Sequence, residues 1–201
     1  MLSPEWLLPF CLYAIATSIT PGPNNVMLLA SGVNYGFVRS IPHIVGICLG
    51  FAFMLVVVGL GLEGVLTAFP NLLSLLRMVS GVYMIYLAWK VGSAGEMGSD
   101  PKSAGTPLGF FGAAAFQWVN PKAWAIAAGG VTLYVPRLNF GVALAVYAAI
   151  FALITAPCVS VWAAGGSALR QWLTQPLWRR VFNLSMAALL LASLYPLLRT
   201  P

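Results

Sequence analysis

The chain alternates long apolar runs with short polar interruptions. The first run extends from Trp6 to about Ser31 and is broken by Thr20-Pro21-Gly22-Pro23-Asn24-Asn25. The second covers Ile41 to about Leu66, and the third runs from about Pro70 to Trp89-Lys90, where an aromatic and a cation mark a headgroup boundary. Beyond a polar stretch, a fourth run, Leu108 to about Tyr134, is broken at Asn120-Pro121-Lys122, and runs from Phe140 to about Ala164 and from about Arg180 to Leu198 follow. A bilayer-crossing helix takes roughly 20 apolar residues, so the pattern predicts an all-α integral membrane protein with six transmembrane helices, the first and fourth broken at Pro motifs.

The pattern repeats about its middle. Residues 1–91 form one three-helix unit and 108–201 a second, joined by 92–107, whose Gly, Ser and Pro content reads as a flexible linker. All three parts belong to one transmembrane domain, 1–201. A unit with an odd number of spans re-enters the membrane the other way up when repeated, so the two units are expected to be inverted repeats. Cations give the orientation. Arg39, Lys90, Lys102, Arg170, Arg179 and Arg180 fall on one side, against Arg77, Arg137 and Arg199 on the other, which places both termini outside the cytoplasm. The Ala14-Ile15-Ala16 triplet resembles a signal-peptide cleavage site, but Glu5 and no cation precede the apolar run, so the segment is read as a span.

Composition narrows the classes. The 60% hydrophobic and 7% charged content and the mean hydropathy of +0.90 exclude a soluble globular domain, a disordered chain and a coiled coil. The net charge of +6 is spread as single cations apart from Arg179-Arg180, so it forms no stripe for nucleic acid. Cys11, Cys48 and Cys158 lie in apolar runs and imply neither a disulfide nor a metal cluster. No zinc spacing and no nucleophile motif appears, and the chain has one histidine; neither an enzyme nor a cofactor is expected.

The chemistry concentrates at the two breaks. Proline lacks an N–H and collides with the carbonyl four residues earlier, so Pro21, Pro23 and Pro121 should free the carbonyls of Thr17, Ile19 and Gln117. Freed carbonyls in hydrocarbon must find partners or line a protein cavity. Thr20, Asn24 and Asn25 crowd one break, and Gln117, Asn120 and Lys122 the other. Matched Pro/Gly interruptions in two halves point to a transporter binding site, here Thr20, Pro21, Gly22, Pro23, Asn24, Asn25, Gln117, Asn120, Pro121 and Lys122. A half-helix beginning after Pro23 favours a carboxylate, to which Lys122 would add a full positive charge. The freed carbonyls and the amide oxygens of Asn24, Asn25 and Asn120 would receive an ammonium. The set suits a small zwitterion. The simpler alternatives are proline kinks whose polar groups satisfy one another, and a Lys122 that snorkels to the nearer interface.

Other residues carry less. Glu63 and Arg77 read as an interfacial ion pair or a gate or proton site. His43, after Pro42 at the inner boundary, is placed as a solvated histidine or a titrating coupling group. Tyr83 and Tyr86 share a helix face and would line the cavity or pack in the core. The Gly32/Gly36 and Gly46/Gly50 spacings predict close helix packing. Gly59-Leu60-Gly61-Leu62-Glu63-Gly64 matches a dinucleotide fingerprint without the strand it needs, and the Asn183-Leu184-Ser185 sequon falls within a span.

The stretch Ile19 to Gly36, with its Thr-Pro-Gly-Pro-Asn-Asn block, resembles the amino-terminal signature of the LysE/RhtB amino-acid exporters. Tyr83 to Lys90 is similar to the end of that family's third span, and Phe116 to Trp124 to its second broken segment. The resemblance covers essentially the whole chain and lies nearest the cysteine and O-acetylserine exporter branch. It implies a multi-pass protein of the bacterial inner membrane that exports amino acids or their derivatives, driven by the proton gradient. Pro21, Gly22, Pro23, Asn24, Asn120, Pro121 and Lys122 carry over as motif positions.

The resulting expectation is a secondary exporter working by alternating access, with a small zwitterionic amino acid, protons and the lipid bilayer as partners and a homo-oligomer compatible with the sequence. A passive channel using the same breaks as a filter, and a membrane scaffold or partner subunit, are the alternatives.

Overall fold

A computed structural model describes residues 4–62, 70–94 and 106–195. These form eight helices and, among the described residues, no strand: α1 Pro4–Ile19, α2 Pro23–Tyr35, α3 Phe37–Val57, α4 Pro70–Gly92, α5 Phe110–Gln117, α6 Pro121–Tyr134, α7 Phe140–Leu169 and α8 Pro176–Ala192. A π-helical turn, Val58–Leu62, follows α3 and is kinked at Gly61, whose φ of 115° suits glycine. Both expected interruptions are real chain breaks, α1/α2 and α5/α6. Proline opens α2, α6 and α8 because its missing N–H has no partner at that position anyway and its φ is already helical.

Element limits depart from the hydropathy reading where a local stop signal competes with it. The second run was set at Ile41, but α3 starts at Phe37, directly after Gly36 with its φ of 84°. The fifth run extends to Leu169 as α7, and the sixth begins earlier, at Pro176. Among the described residues two helices are long and apolar enough to cross a membrane, Phe37–Gly61 and Phe140–Leu169. The linker reading falls largely on 95–105, outside the described residues.

The two long helices make the centre. They run antiparallel: Gly59 lies against Leu144, and the Phe51 and Phe151 rings stand 4.7 Å apart. The broken pair α1/α2 packs parallel to α7, with Phe10 on Tyr147, Ser18 on Thr155 and Gly32 on Ala163 in turn. The pair α5/α6 is the counterpart, with α5 parallel to α3: Gly46 and Gly50 face Phe110 and Ala114. Helices α4 and α8 pack on each other. Each broken pair is thus held by the long helix of the other half.

Small residues make these contacts possible. A Cβ on Gly32 would fall 2.2 Å from the Ala163 carbonyl oxygen, and one on Gly166 would fall 2.1 Å from that of Leu29. The predicted packing role of Gly32, Gly46 and Gly50 therefore holds, and backbone meets backbone there. Asn183, 0% exposed, exchanges amide hydrogen bonds with Asn34 at 2.8 and 3.1 Å and donates to the Ala94 carbonyl at 2.5 Å. It ties α2, α8 and the end of α4 together.

One end of the bundle is basic. Arg39, Lys90, Arg170, Arg179 and Arg180 lie where α2, α4 and α7 end and α3 and α8 begin, and Arg137 sits at the opposite end.

Candidate functional site

At the first break the chain leaves α1 at Ile19 and enters α2 at Pro23 through an extended Gly22 (φ −177°, ψ 175°). Any residue adopts that backbone, so what glycine supplies is space. A Cβ there would lie 2.8 Å from Lys122 Cδ and 3.1 Å from its Nζ. Lys122 crosses from α6 and places its ammonium on the end of α1. It donates to the Thr20 carbonyl at 2.8 Å, the Thr20 hydroxyl at 2.9 Å and the Pro21 carbonyl at 3.2 Å. An ammonium has three donors, and a cation suits a helix C-terminus.

Lys122 therefore reaches across to the opposite break and does not snorkel; its three protons are placed on neutral oxygens, which leaves its positive charge in the wall of the cleft.

The freed carbonyls are also occupied. Ile19 accepts from Trp162 Nε1 at 3.1 Å, Thr17 from the Thr20 hydroxyl at 3.2 Å, and Gln117 from the Asn120 N–H at 3.3 Å. Each of the three thus has one protein partner and keeps a second lone pair: buried polar groups take whatever partners the fold brings within reach. Asn120, 2% exposed, spends its amide oxygen capping α6 through the Lys122 N–H at 3.1 Å.

Two asparagines complete the wiring. Asn24 and Gln117 exchange amide bonds across the halves, Asn24 Nδ2 to Gln117 Oε1 at 2.9 Å and Gln117 Nε2 to Asn24 Oδ1 at 3.2 Å. Gln117 is fully buried and also donates to the Ala113 carbonyl at 2.9 Å. Asn25 donates to the Ser18 and Thr20 carbonyls, both at 2.8 Å, and bridges the gap from α1 to α2. No bond among the described residues uses its Oδ1.

Between the breaks lies a cleft of about 420 Å³, its open mouth included. Of the predicted residues, Gly22, Pro23, Asn24, Asn25, Gln117, Asn120 and Lys122 line it, while Thr20, Pro21 and Pro121 shape the breaks from outside. The far wall comes from residues the sequence did not single out: Ile47 and Phe51 on α3, and Phe151, Thr155 and Val159 on α7. Thr155 is the most informative omission. Its hydroxyl meets that of Ser18 at 3.0 Å, both buried, and a lone threonine two residues before Pro157 in an apolar run was the available signal.

Two kinds of polar group remain open to a ligand. The start of α2 has no side-chain cap, unlike that of α6, so its first N–H groups and the positive end of its dipole are left for an anion. The Asn25 amide oxygen, on the same first turn of α2, and the Ser18–Thr155 hydroxyl pair also line the cleft and can accept. The lining thus holds both donors and acceptors.

The remaining candidates lie elsewhere. Tyr83 packs toward Phe116 with ring centroids 5.9 Å apart, and Tyr86 is 45% exposed; neither lines the cleft. Glu63 and the side chain of Arg77 fall outside the described residues. His43 is corrected from a solvated boundary group to one 1% exposed, and among the described residues both of its ring nitrogens lack a partner.

Comparison with known proteins bears on the whole chain. The cysteine/O-acetylserine efflux protein of Salmonella typhi is 34% identical over 122 residues, 60% of this chain and 61% of that protein. The protein of the same description from Escherichia coli (strain K12) is 33% identical over 124 residues, with the same coverage. The chain therefore spans about three fifths of the length of the curated relatives it matches. No solved structure matches. The family described as LysE type translocator matches residues 15–194, which include both breaks and every residue lining the cleft. The chain belongs to the LysE type translocators, a transporter family and not an enzyme one.

Proposed function

We propose that the protein is a secondary transporter exporting small amino acids or their derivatives from the bacterial cytoplasm across the inner membrane. The observation that carries this is the cleft between the two breaks, whose lining offers an uncapped helix start to a carboxylate and hydroxyl and amide acceptors to an ammonium. The names of the relatives make cysteine and O-acetylserine the first substrates to test.

In this reading residues 1–91 and 108–201 are inverted three-span repeats joined by the linker 92–107. Supporting it, α3 and α7 run antiparallel, and each broken pair packs on the other half's long helix. The basic end faces the cytoplasm and both termini face the periplasm, in keeping with the positive-inside bias. Alternating access exposes the cleft to either side, with the proton gradient as the driving force and protons as the second partner.

The test is efflux of preloaded labelled O-acetylserine and cysteine from proteoliposomes, with and without an imposed pH gradient. Saturable efflux that runs against the substrate gradient when protons flow supports exporter and coupling together. Flux that never passes equilibrium replaces the exporter with a channel.

A further inference from the structure

At the basic end of the bundle a second cavity of about 380 Å³, mouth included, lies between the final turns of α2 and α4, the start of α3 and residues 106–108. It shares no lining residue with the cleft at the breaks. Yet the two are close: Asn24 of the cleft and Ser31 of the cavity are seven residues apart on α2, about 10 Å at the helical rise. On α3, Ile47 of the cleft is one turn from His43 of the cavity.

His43 is the unusual member of this wall. It is 1% exposed, its ring nitrogens lie behind the surface of the cavity, and among the described residues neither Nδ1 nor Nε2 has a hydrogen-bond partner. Native structures leave few buried polar atoms unsatisfied, and those that remain call for a missing partner. A neutral imidazole carries one donor and one acceptor. Lys90 lines the same cavity, and among the described residues no hydrogen bond or ion pair engages it. Asn34, by contrast, is committed to Asn183, and Ser31 to Ser40 at 2.7 Å. The groups without a partner among the described residues are therefore a cation at the cavity and, just behind its wall, a donor and an acceptor, beside the apolar side chains of Met27, Leu87 and Leu108. That is the complement of a small zwitterion with a short apolar body.

We infer that the cavity around His43 is a second amino-acid site, at the basic end of the bundle, where Lys90 meets the carboxylate and the His43 ring, turning out from its buried position, supplies the remaining hydrogen bonds before the ligand passes one helical turn onward to the cleft. The ligand class rests on the exporter reading above; the site itself rests on the cavity and its unpartnered ring.

His43 is the only histidine of the chain, so ring-¹⁵N-histidine labelling reports on this cavity alone. The full chain, carried without a polyhistidine tag in phosphatidylcholine nanodiscs, is titrated with O-acetyl-L-serine and, separately, with L-serinamide, which lacks the carboxylate. The expected result is a saturable shift of the ring nitrogens with O-acetylserine and none with the amide. Lys90→Gln raises the half-saturation of that shift at least tenfold, and Lys122→Met, at the other site, leaves it within twofold. His43→Leu replaces the ring with an apolar side chain, so the protein stays folded while the half-saturation for efflux from the basic side rises several-fold.

Saturable efflux with a silent imidazole overturns the second site and leaves the exporter standing. A ring that responds to added phosphatidylglycerol and not to amino acid overturns it in favour of a lipid headgroup pocket. Neither efflux nor a ring response removes the exporter reading together with the ligand class assigned here.

Discussion

Lys122 and Thr20, 102 residues apart in sequence, meet through two hydrogen bonds, from Nζ to the Thr20 carbonyl at 2.8 Å and to its hydroxyl at 2.9 Å. A cation from one half of the chain closes the carbonyl end of a helix in the other. The first break is thereby held open as a fixed shape and does not collapse into a continuous helix.

Gly22→Ala tests that contact from the other side. The backbone at 22 is extended and tolerates alanine, so the whole effect runs through the 2.8 Å approach to Lys122 Cδ. The expected cost is about 1–2 kcal/mol of stability, the low range for a charged donor because the ammonium is only half-buried. In a Lys122→Ala background the same change should cost almost nothing. Thermal unfolding of the four proteins in detergent measures the difference; additive costs would show that Gly22 and Lys122 act independently.

Asn24 and Gln117 should behave as one unit. Asn24→Ala leaves the fully buried Gln117 Oε1 unpaired, a penalty of about 1–3 kcal/mol. Replacing both residues with leucine removes the unpaired group and should recover most of that stability while abolishing efflux. Stability and transport measured on the same preparations separate the two effects.

Gly165 and Gly166 are adjacent but not equivalent. A Cβ on Gly166 would fall 2.1 Å from the Leu29 carbonyl oxygen, whereas one on Gly165 meets nothing within 4 Å. Gly166→Ala must push α2 off α7 and should cost 3 kcal/mol or more, roughly the upper range for overpacking. Gly165→Ala should be neutral or slightly stabilising, since alanine favours the helix by about 1 kcal/mol. The yield of monodisperse protein after purification and the melting temperature are sufficient to tell them apart.

Asn120→Ala removes the cap of α6 and should cost about 1 kcal/mol. Asn120→Asp and Asn120→Ser keep an acceptor in place and should restore stability. Recovery of efflux by either variant would place Asn120 in the frame of the site and not among the groups that touch substrate.

Much of this was legible in the chain because proline and polar residues are rare in apolar runs and mean something there. Both breaks, the start of α4 at Pro70 and that of α7 at Phe140 follow from hydropathy and proline alone. The wiring of the breaks did not, because it is tertiary: Trp162 reaches Ile19 across 143 residues and Thr155 reaches Ser18 across 137. Counting freed carbonyls identifies which groups need partners but not who supplies them.

His43 was misplaced for a different reason. Its distance from the end of a run suggested a boundary, but exposure is decided around the helix as well as along it. Ser40, His43, Ile47, Gly50 and Met54 recur at three and four residues, and all are buried on one face of α3.

The cross-bracing of the breaks also bears on how the protein is made. Helices α1 and α2 leave the ribosome with the carbonyls of Ile19, Thr20 and Pro21 pointing into a break whose partners, Lys122 and Trp162, have not yet been synthesised. Hydrocarbon supplies no substitute. The first half is therefore incomplete on insertion, and its break reaches its final form when the second half arrives to donate to it.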